Sequence, residues 1–142
     1  MKNKIKLLGY AVSPLIIGNI VNLLITKLGW YGFSLTIISI LFCCYWIFIG
    51  YKIAGYSNTY IESALIVNSL AIMCYVTVLM SEMLQGSFVA NMIRVQAQIF
   101  FLPMLRVVAI ILGLTGQIST SGLMAMSFIL MFMLYSIGFK LN

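Results

Sequence analysis

Long apolar stretches, separated by short segments rich in turn-forming residues, run along the whole chain. Each stretch is about as long as the roughly 20 helical residues that cross a bilayer core of about 30 Å. The separating segments contain Gly, Ser, Asn and Thr, which favour turns. The pattern therefore predicts an all-α fold, a polytopic integral membrane helix bundle in one domain over residues 1–142. The five predicted transmembrane helices cover about residues 8–28, 31–53, 62–84, 97–114 and 122–139.

The first apolar stretch could belong to a signal peptide, a membrane span or a surface helix. It extends from Leu7 to about Ile25, longer than the apolar core of about 7–15 residues in a signal peptide, and no Ala-x-Ala cleavage site follows it. We therefore expect a retained first span. Pro14, Asn19 and Asn22 interrupt it, and four transmembrane helices would remain if it lay in the membrane interface.

The start of the fourth span has a different pattern. Asn91, Arg94 and Gln98 recur at spacings of three and four residues, which places them on one helical face. This spacing favours an amphipathic helix in the membrane interface. Pro103 follows, where a bend into the membrane is expected because proline removes a backbone hydrogen bond.

The distribution of positive charge predicts the orientation. With five alternating spans, one side of the membrane carries Lys2, Lys4, Lys6 and Lys52. The other side carries Lys27, Arg94 and Lys140. Because cytoplasmic segments carry an excess of Lys and Arg, we expect a cytoplasmic N-terminus and a C-terminus on the opposite side. The expected location is the cell membrane, as a multi-pass protein of the bacterial cytoplasmic membrane.

Composition agrees with a membrane location. Hydrophobic residues make up 63% of the chain and charged residues 7%, against about 45–50% and about 25% in soluble domains. The mean hydropathy is +1.15. Eight Lys and Arg stand against two Asp and Glu, but the cations are scattered and form no basic patch with interleaved aromatics. We therefore expect no nucleic-acid partner.

The residue types that carry most enzyme chemistry are scarce. The chain has no His, which removes the usual haem ligands and Ser-His catalysis. Its two glutamates are about one span apart, too far to act as a carboxylate pair. Cys43, Cys44 and Cys74 lie inside apolar runs, where a free Cys behaves as a small hydrophobe. We expect neither enzymatic activity nor a metal or cofactor.

Arg106 is the most informative charged residue, because it lies near the middle of the fourth predicted span. An Arg at the centre of a membrane helix costs about 2.5–3.5 kcal/mol on insertion scales. Such a cation should face the bundle interior, a wet cavity or a partner subunit. The alternative is a structural ion pair or a side chain that snorkels to the interface.

The third span offers the acidic partner. Asn68, Tyr75 and Glu82 recur every seven residues and so share one helical face. Because this span ends where the fourth begins, Glu82 is expected to approach Arg94 more easily than the deeper Arg106. Glu62, in contrast, is expected at a helix N-terminus, where the helix dipole favours a carboxylate.

The first span carries Asn19 and Asn22 three residues apart. Amides in lipid seek partners on other helices, so packing within the bundle explains them. If the polar faces of several spans converged, they would instead line a narrow polar path.

Two functions follow from these patterns. The first is a non-enzymatic accessory or structural subunit of a membrane assembly, a class that includes immunity-type proteins. Its partners are the lipid bilayer and other membrane helices, in a homo-oligomer or a hetero-complex. The alternative is a small channel or transporter whose path is lined by polar residues: Asn19, Asn22, Asn68, Tyr75, Glu82 and Arg106.

Overall fold

The computed structural model of the protein describes residues 2–55, 59–83, 88–113 and 119–142. These residues form five helices, each long and apolar enough to cross a membrane, and the predicted all-α bundle is confirmed. The helices are α1 (Lys2–Leu28), α2 (Phe33–Ala54), α3 (Tyr60–Met83), α4 (Phe88–Ile111) and α5 (Thr120–Lys140).

The largest difference in helix bounds concerns α4, which begins at Phe88, nine residues before the predicted span. The polar segment and the apolar segment are one helix, which continues through Pro103. Of the predicted polar face Asn91 is exposed, whereas Arg94 and Gln98 are half-buried; Ala97 and Phe100 are buried in the core. The predicted polar face is therefore exposed only in part, and apolar Met92 and Val95 of the same turns are exposed as well.

A tight turn joins α1 to α2. Gly29 and Gly32 have φ angles of 63° and 58°, a left-handed conformation that glycine adopts without steric cost. The Gly29 N–H donates to the carbonyl oxygen of Ile25 at 3.2 Å and closes the end of α1. The two helices run in opposite directions, because Lys6 near the start of α1 and Lys52 near the end of α2 line one cavity.

Glycines bring α2 and α5 into close contact. A Cβ atom at Gly50 would overlap the backbone of Tyr135, and one at Gly138 would overlap the carbonyl oxygen of Ile47. Such backbone approach is how membrane helices gain packing energy, because lipid gives no hydrophobic drive for helices to associate. Both glycines are therefore required by the α2–α5 interface.

The contacts along this interface show that α2 and α5 are parallel. Near their C-terminal ends, Asn142 Nδ2 donates to the carbonyl oxygen of Tyr51 at 3.0 Å. Near their N-terminal ends, Leu123 of α5 lines the same cavity as Leu35 of α2. Five alternating crossings would make a second and a fifth helix antiparallel, so strict alternation is wrong for this bundle.

This direction places the two chain ends together. Lys6 of α1 shares a cavity with Lys52 near the end of α2, and Asn142 binds Tyr51 at the same end. The expected separation of the two ends on opposite sides of the bundle is therefore corrected. Residue 55 lies at this end of the bundle and residue 119 at the other end. Helices α3 and α4 together therefore take the chain across the bundle once.

The core is filled with large side chains around α4, which contacts each of the other four helices. Phe100, Phe101 and Met104 of α4 are almost completely buried. They meet equally buried groups from α2 and α5, among them Trp46 and Tyr135. In the described part of the chain α1 and α2 make little contact beyond their turn, because both pack against α4 instead.

Candidate functional site: an arginine on the outer face of the bundle

Arg106 points away from the bundle interior. Its side chain is exposed on the outer surface of α4, and its Nε donates to Thr36 Oγ1 of α2 at 3.4 Å. The Thr36 hydroxyl donates its own proton to the carbonyl oxygen of Gly32 at 3.1 Å, so its oxygen is free to accept from the arginine. Arg106 therefore lies near the end of the bundle that carries the α1–α2 turn.

A cavity of about 250 Å³ lies beside Arg106. Its walls come from α1, α2, α4 and α5 and are apolar apart from Ser39 and Arg106. No acidic residue is among them. The lining residues are Val21, Leu35, Ile38, Ser39, Leu102, Pro103, Leu105, Arg106, Ala109 and Leu123. The site thus combines one permanent positive charge with an apolar recess on the outer face of the bundle.

Arg94 and Glu82 are both half-buried. Arg94 Nε donates to Ser81 Oγ at 3.5 Å, and that hydroxyl donates to the carbonyl oxygen of Val78 at 2.7 Å. Within the described residues Glu82 makes no ion pair with Arg94 or Arg106. The side chain that joins α3 to Arg94 of α4 is therefore Ser81, the residue next to Glu82.

Asn68 and Tyr75 lie inside the bundle. Asn68 is 1% exposed, and its Nδ2 donates to the carbonyl oxygen of Ala64 at 2.9 Å. Its Oδ1 is buried without a hydrogen-bond partner among the described residues. Tyr75 is half-buried and stacks on Phe128 with the ring centroids 6.4 Å apart. Asn68 thus offers a buried acceptor, whereas Tyr75 serves packing between α3 and α5.

The two asparagines of α1 differ in their surroundings. Asn19 faces outward and donates to the carbonyl oxygen of Leu15 at 2.8 Å, while Asn22 is half-buried. The candidate residues therefore occupy separate places: Asn19 the outer face of α1, Asn68 the interior, and Arg106 the outer face of α4.

A pair of hydrogen bonds between α3 and α5 has no signal in the sequence pattern. Tyr135 donates to Ser63 Oγ at 2.8 Å, and the hydroxyls of Tyr60 and Ser136 are 2.5 Å apart. The partners are more than 70 residues apart in the chain, so no local spacing connects them. Phe139 packs edge-on against Tyr60 at 5.2 Å, and the cluster fastens the start of α3 to the end of α5.

The described residues contain no group of three or more His, Cys, Asp or Glu side chains close enough to hold a metal ion. Cys43, Cys44 and Cys74 are free thiols. Cys43 contacts Met104 across the α2–α4 interface at 3.8 Å between the sulfur atoms. Cys43 and Cys74 therefore pack against the core, whereas Cys44 is exposed.

The substitution Asn68→Leu is expected to leave stability unchanged or to raise it by about 1 kcal/mol, because it removes a buried carbonyl without a partner. Tyr135→Phe is the matched comparison. It removes a hydroxyl that donates to Ser63 and should cost about 0.6 kcal/mol. Reversible unfolding in mixed detergent micelles measures both. A loss above about 1 kcal/mol for Asn68→Leu would mean that Oδ1 accepts a hydrogen bond in the native membrane.

Comparisons of the chain with protein-family models, with curated proteins and with solved structures find no match.

Proposed function

We propose that the protein is a non-enzymatic accessory subunit of a membrane assembly and that it binds its partner laterally through the outer face around Arg106. An immunity-type protein, which binds and restrains another membrane protein, is one form of such a subunit. The observation that carries the proposal is the outward direction of Arg106 within an apolar helix.

The chemistry of the guanidinium supports a carboxylate on the partner helix. Thr36 engages Nε, while the terminal nitrogens form a planar fork that matches a carboxylate with two parallel hydrogen bonds. An ionised side chain in the apolar part of a membrane is costly unless it is paired or reaches water or headgroups. A partner helix that presents Asp or Glu at this depth would lower that cost.

The packed interior also favours action on the outer surface. A channel or transporter would need a polar path through the bundle, whereas the centre is filled by aromatic and methionine side chains such as Trp46, Phe100 and Met104. The apolar recess next to Arg106 suits the methyl-bearing side chains of a helix that contacts α2 and α4. Charge and recess together define an interaction face.

Co-purification of the tagged protein in mild detergent, with partners identified by mass spectrometry, tests this proposal. We expect a membrane protein that stays bound to the wild type and to a Lys27→Gln control. The amount recovered with Arg106→Leu should be at least about 30-fold lower. Leaving one member of a desolvated charge pair alone costs about 2–5 kcal/mol. Neutralising one Asp or Glu in the partner's spans should have the same effect.

Reconstitution of the protein alone distinguishes the two functional classes. We expect liposomes that contain it to show no solute or ion flux above that of empty liposomes. Flux that Arg106→Leu abolishes in a folded protein would contradict the accessory role and would identify a transporter.

A further inference from the structure

A second polar site lies at the other end of the bundle, where α1 and α2 diverge. Five residues from the two helices line a cleft of about 530 Å³. Its volume falls in the range of about 300–1,000 Å³ typical of small-molecule pockets. The lining residues are Lys6, Gly9 and Tyr10 of α1 with Tyr45 and Lys52 of α2.

The cleft presents hydrogen-bond donors and positive charge. Lys6 and Lys52 are exposed, and no acidic residue is among the lining residues. The rings of Tyr10 and Tyr45 are half-buried against the core, yet neither hydroxyl makes a hydrogen bond within the described part of the chain. The cleft is therefore lined by two lysines and by two tyrosines whose hydroxyls make no hydrogen bond within the described residues.

The shape of the cleft keeps this space open. A Cβ at Gly9 would meet no atom within 4 Å, so the space beside α1 at this position is open. Lys52 Nζ lies 5.7 Å from the centroid of the Phe48 ring, one turn earlier on α2. This contact draws the ammonium group back along α2, from the end of the helix toward its middle.

We propose that this cleft, called here the α1–α2 cleft, binds the phosphate of an anionic phospholipid headgroup. Basic pockets between membrane helices recognise such headgroups, since each cation near an anionic surface adds about 1 kcal/mol. Tyrosine belongs to the same interfacial layer, because its ring is apolar and its hydroxyl is polar. This site is separate from the Arg106 face and does not depend on the accessory function.

The surrounding charge favours the same ligand. Because α5 ends beside α2, this end of the bundle carries Lys140 in addition to the lysines of α1 and α2. Five of the eight Lys and Arg residues therefore lie at this end: Lys2, Lys4, Lys6, Lys52 and Lys140. Glu62, near the start of α3, is the acidic side chain at the same end.

Native mass spectrometry of the protein tests the proposal. The protein is released from micelles that contain equal amounts of phosphatidylglycerol and phosphatidylcholine with identical acyl chains. We expect the wild type to retain phosphatidylglycerol preferentially. Each lysine removed should lower the preference for phosphatidylglycerol about fivefold. The double variant Lys6→Gln/Lys52→Gln should therefore lower it about 30-fold.

Two controls separate the cleft from charge in general. Lys140→Gln removes a cation at the same end, outside the cleft, and Lys27→Gln one at the opposite end; both should lower the preference less than the loss of either cleft lysine does. Lys6→Arg/Lys52→Arg should keep the preference, since the charge is preserved. An equal loss in Lys140→Gln, or none in the double Gln variant, would overturn the proposal. Retention of inorganic phosphate with no lipid preference would assign the cleft to a free anion instead and would overturn the lipid assignment.

Discussion

A membrane-impermeant maleimide should label single cysteines at positions 6 and 142 from the same side of the membrane, and a cysteine at position 31 from the opposite side. The variants are Lys6→Cys, Asn142→Cys and Tyr31→Cys, in a background where the three native cysteines are replaced by alanine. All three positions are exposed at the ends of helices. The expected contrast is all or none, because the reagent does not cross the bilayer.

The physical reason is the parallel packing of α2 and α5. Gly50 and Gly138 hold the two C-terminal ends together, and Asn142 binds Tyr51. Because α1 and α2 are joined by a tight turn, α1 starts at the end where α2 finishes. The chain therefore passes from one end of the bundle to the other an even number of times. Positions 6 and 142 consequently lie on the same side.

Labelling of positions 6 and 142 from opposite sides would contradict this topology. In that outcome five full crossings would hold, and α2 and α5 would be antiparallel in the membrane. Labelling of position 31 from the same side as position 6 would contradict it in another way, because α1 would then lie in the interface without crossing.

With this topology, Lys and Arg residues are distributed unequally between the two ends of the bundle. Five cations lie at the end that carries Lys6, and three lie toward the other end or along α4: Lys27, Arg94 and Arg106. Under five alternating crossings Lys140 would have weakened this bias. By the positive-inside tendency, we propose that the end with Lys6 is cytoplasmic, and the direction of labelling in intact cells tests it.

The helices themselves were predictable from sequence, whereas their arrangement was not. A helix that crosses a bilayer needs about 20 apolar residues, and this requirement is visible in one dimension. The side of each helix that packs in the bundle cannot be recognised in the sequence. Lipid tails are as apolar as the core, so the outer side of a membrane helix is apolar as well. Ser39 and Ile49 are buried, while Ile40 and Phe48 beside them are exposed on the outer surface. No hydrophobic pattern along α2 separates these two groups.

The candidate site was predictable in part for a related reason. A cation inside an apolar run, such as Arg106, is visible in any sequence. Its outward direction depends on how α4 rotates between α1 and α2, and on Thr36, 70 residues away. The adjacent ends of α3 and α4 predict a pair between Glu82 and Arg94, but the rotation of α4 brings Arg94 to Ser81 instead. The α1–α2 cleft likewise depends on two lysines that are 46 positions apart in the sequence.

The second large effect concerns the glycine contact between α2 and α5. Gly138→Ala is expected to destabilise the protein by about 1–3 kcal/mol, the usual cost of inserting a methyl group into a packed interface. The new Cβ would overlap the carbonyl oxygen of Ile47, and it would also lie 3.0 Å from the Tyr51 nitrogen. Both contacts are backbone atoms of α2, so a side-chain rotation cannot relieve the overlap and the helices must separate.

Gly9→Ala is the matched control, since it makes the same chemical change inside a helix where the new Cβ meets no atom within 4 Å. Alanine is favoured over glycine in a helix by about 1 kcal/mol, and both variants share this gain. The difference between them therefore isolates the α2–α5 overlap. Reversible unfolding in mixed micelles measures it, together with crosslinking between cysteines placed at Tyr51 and Asn142.

Gly50→Ala should reproduce the loss, because its Cβ would overlap the backbone of Tyr135 from the other side of the same contact. Because α2 and α5 touch at both glycines, the double variant should lose less than the sum of the two single losses, as expected for residues that share one interface. Equal stability of Gly138→Ala and Gly9→Ala would mean that the two backbones do not approach in the membrane. The parallel arrangement, and with it the shared side of positions 6 and 142, would then lose its structural basis.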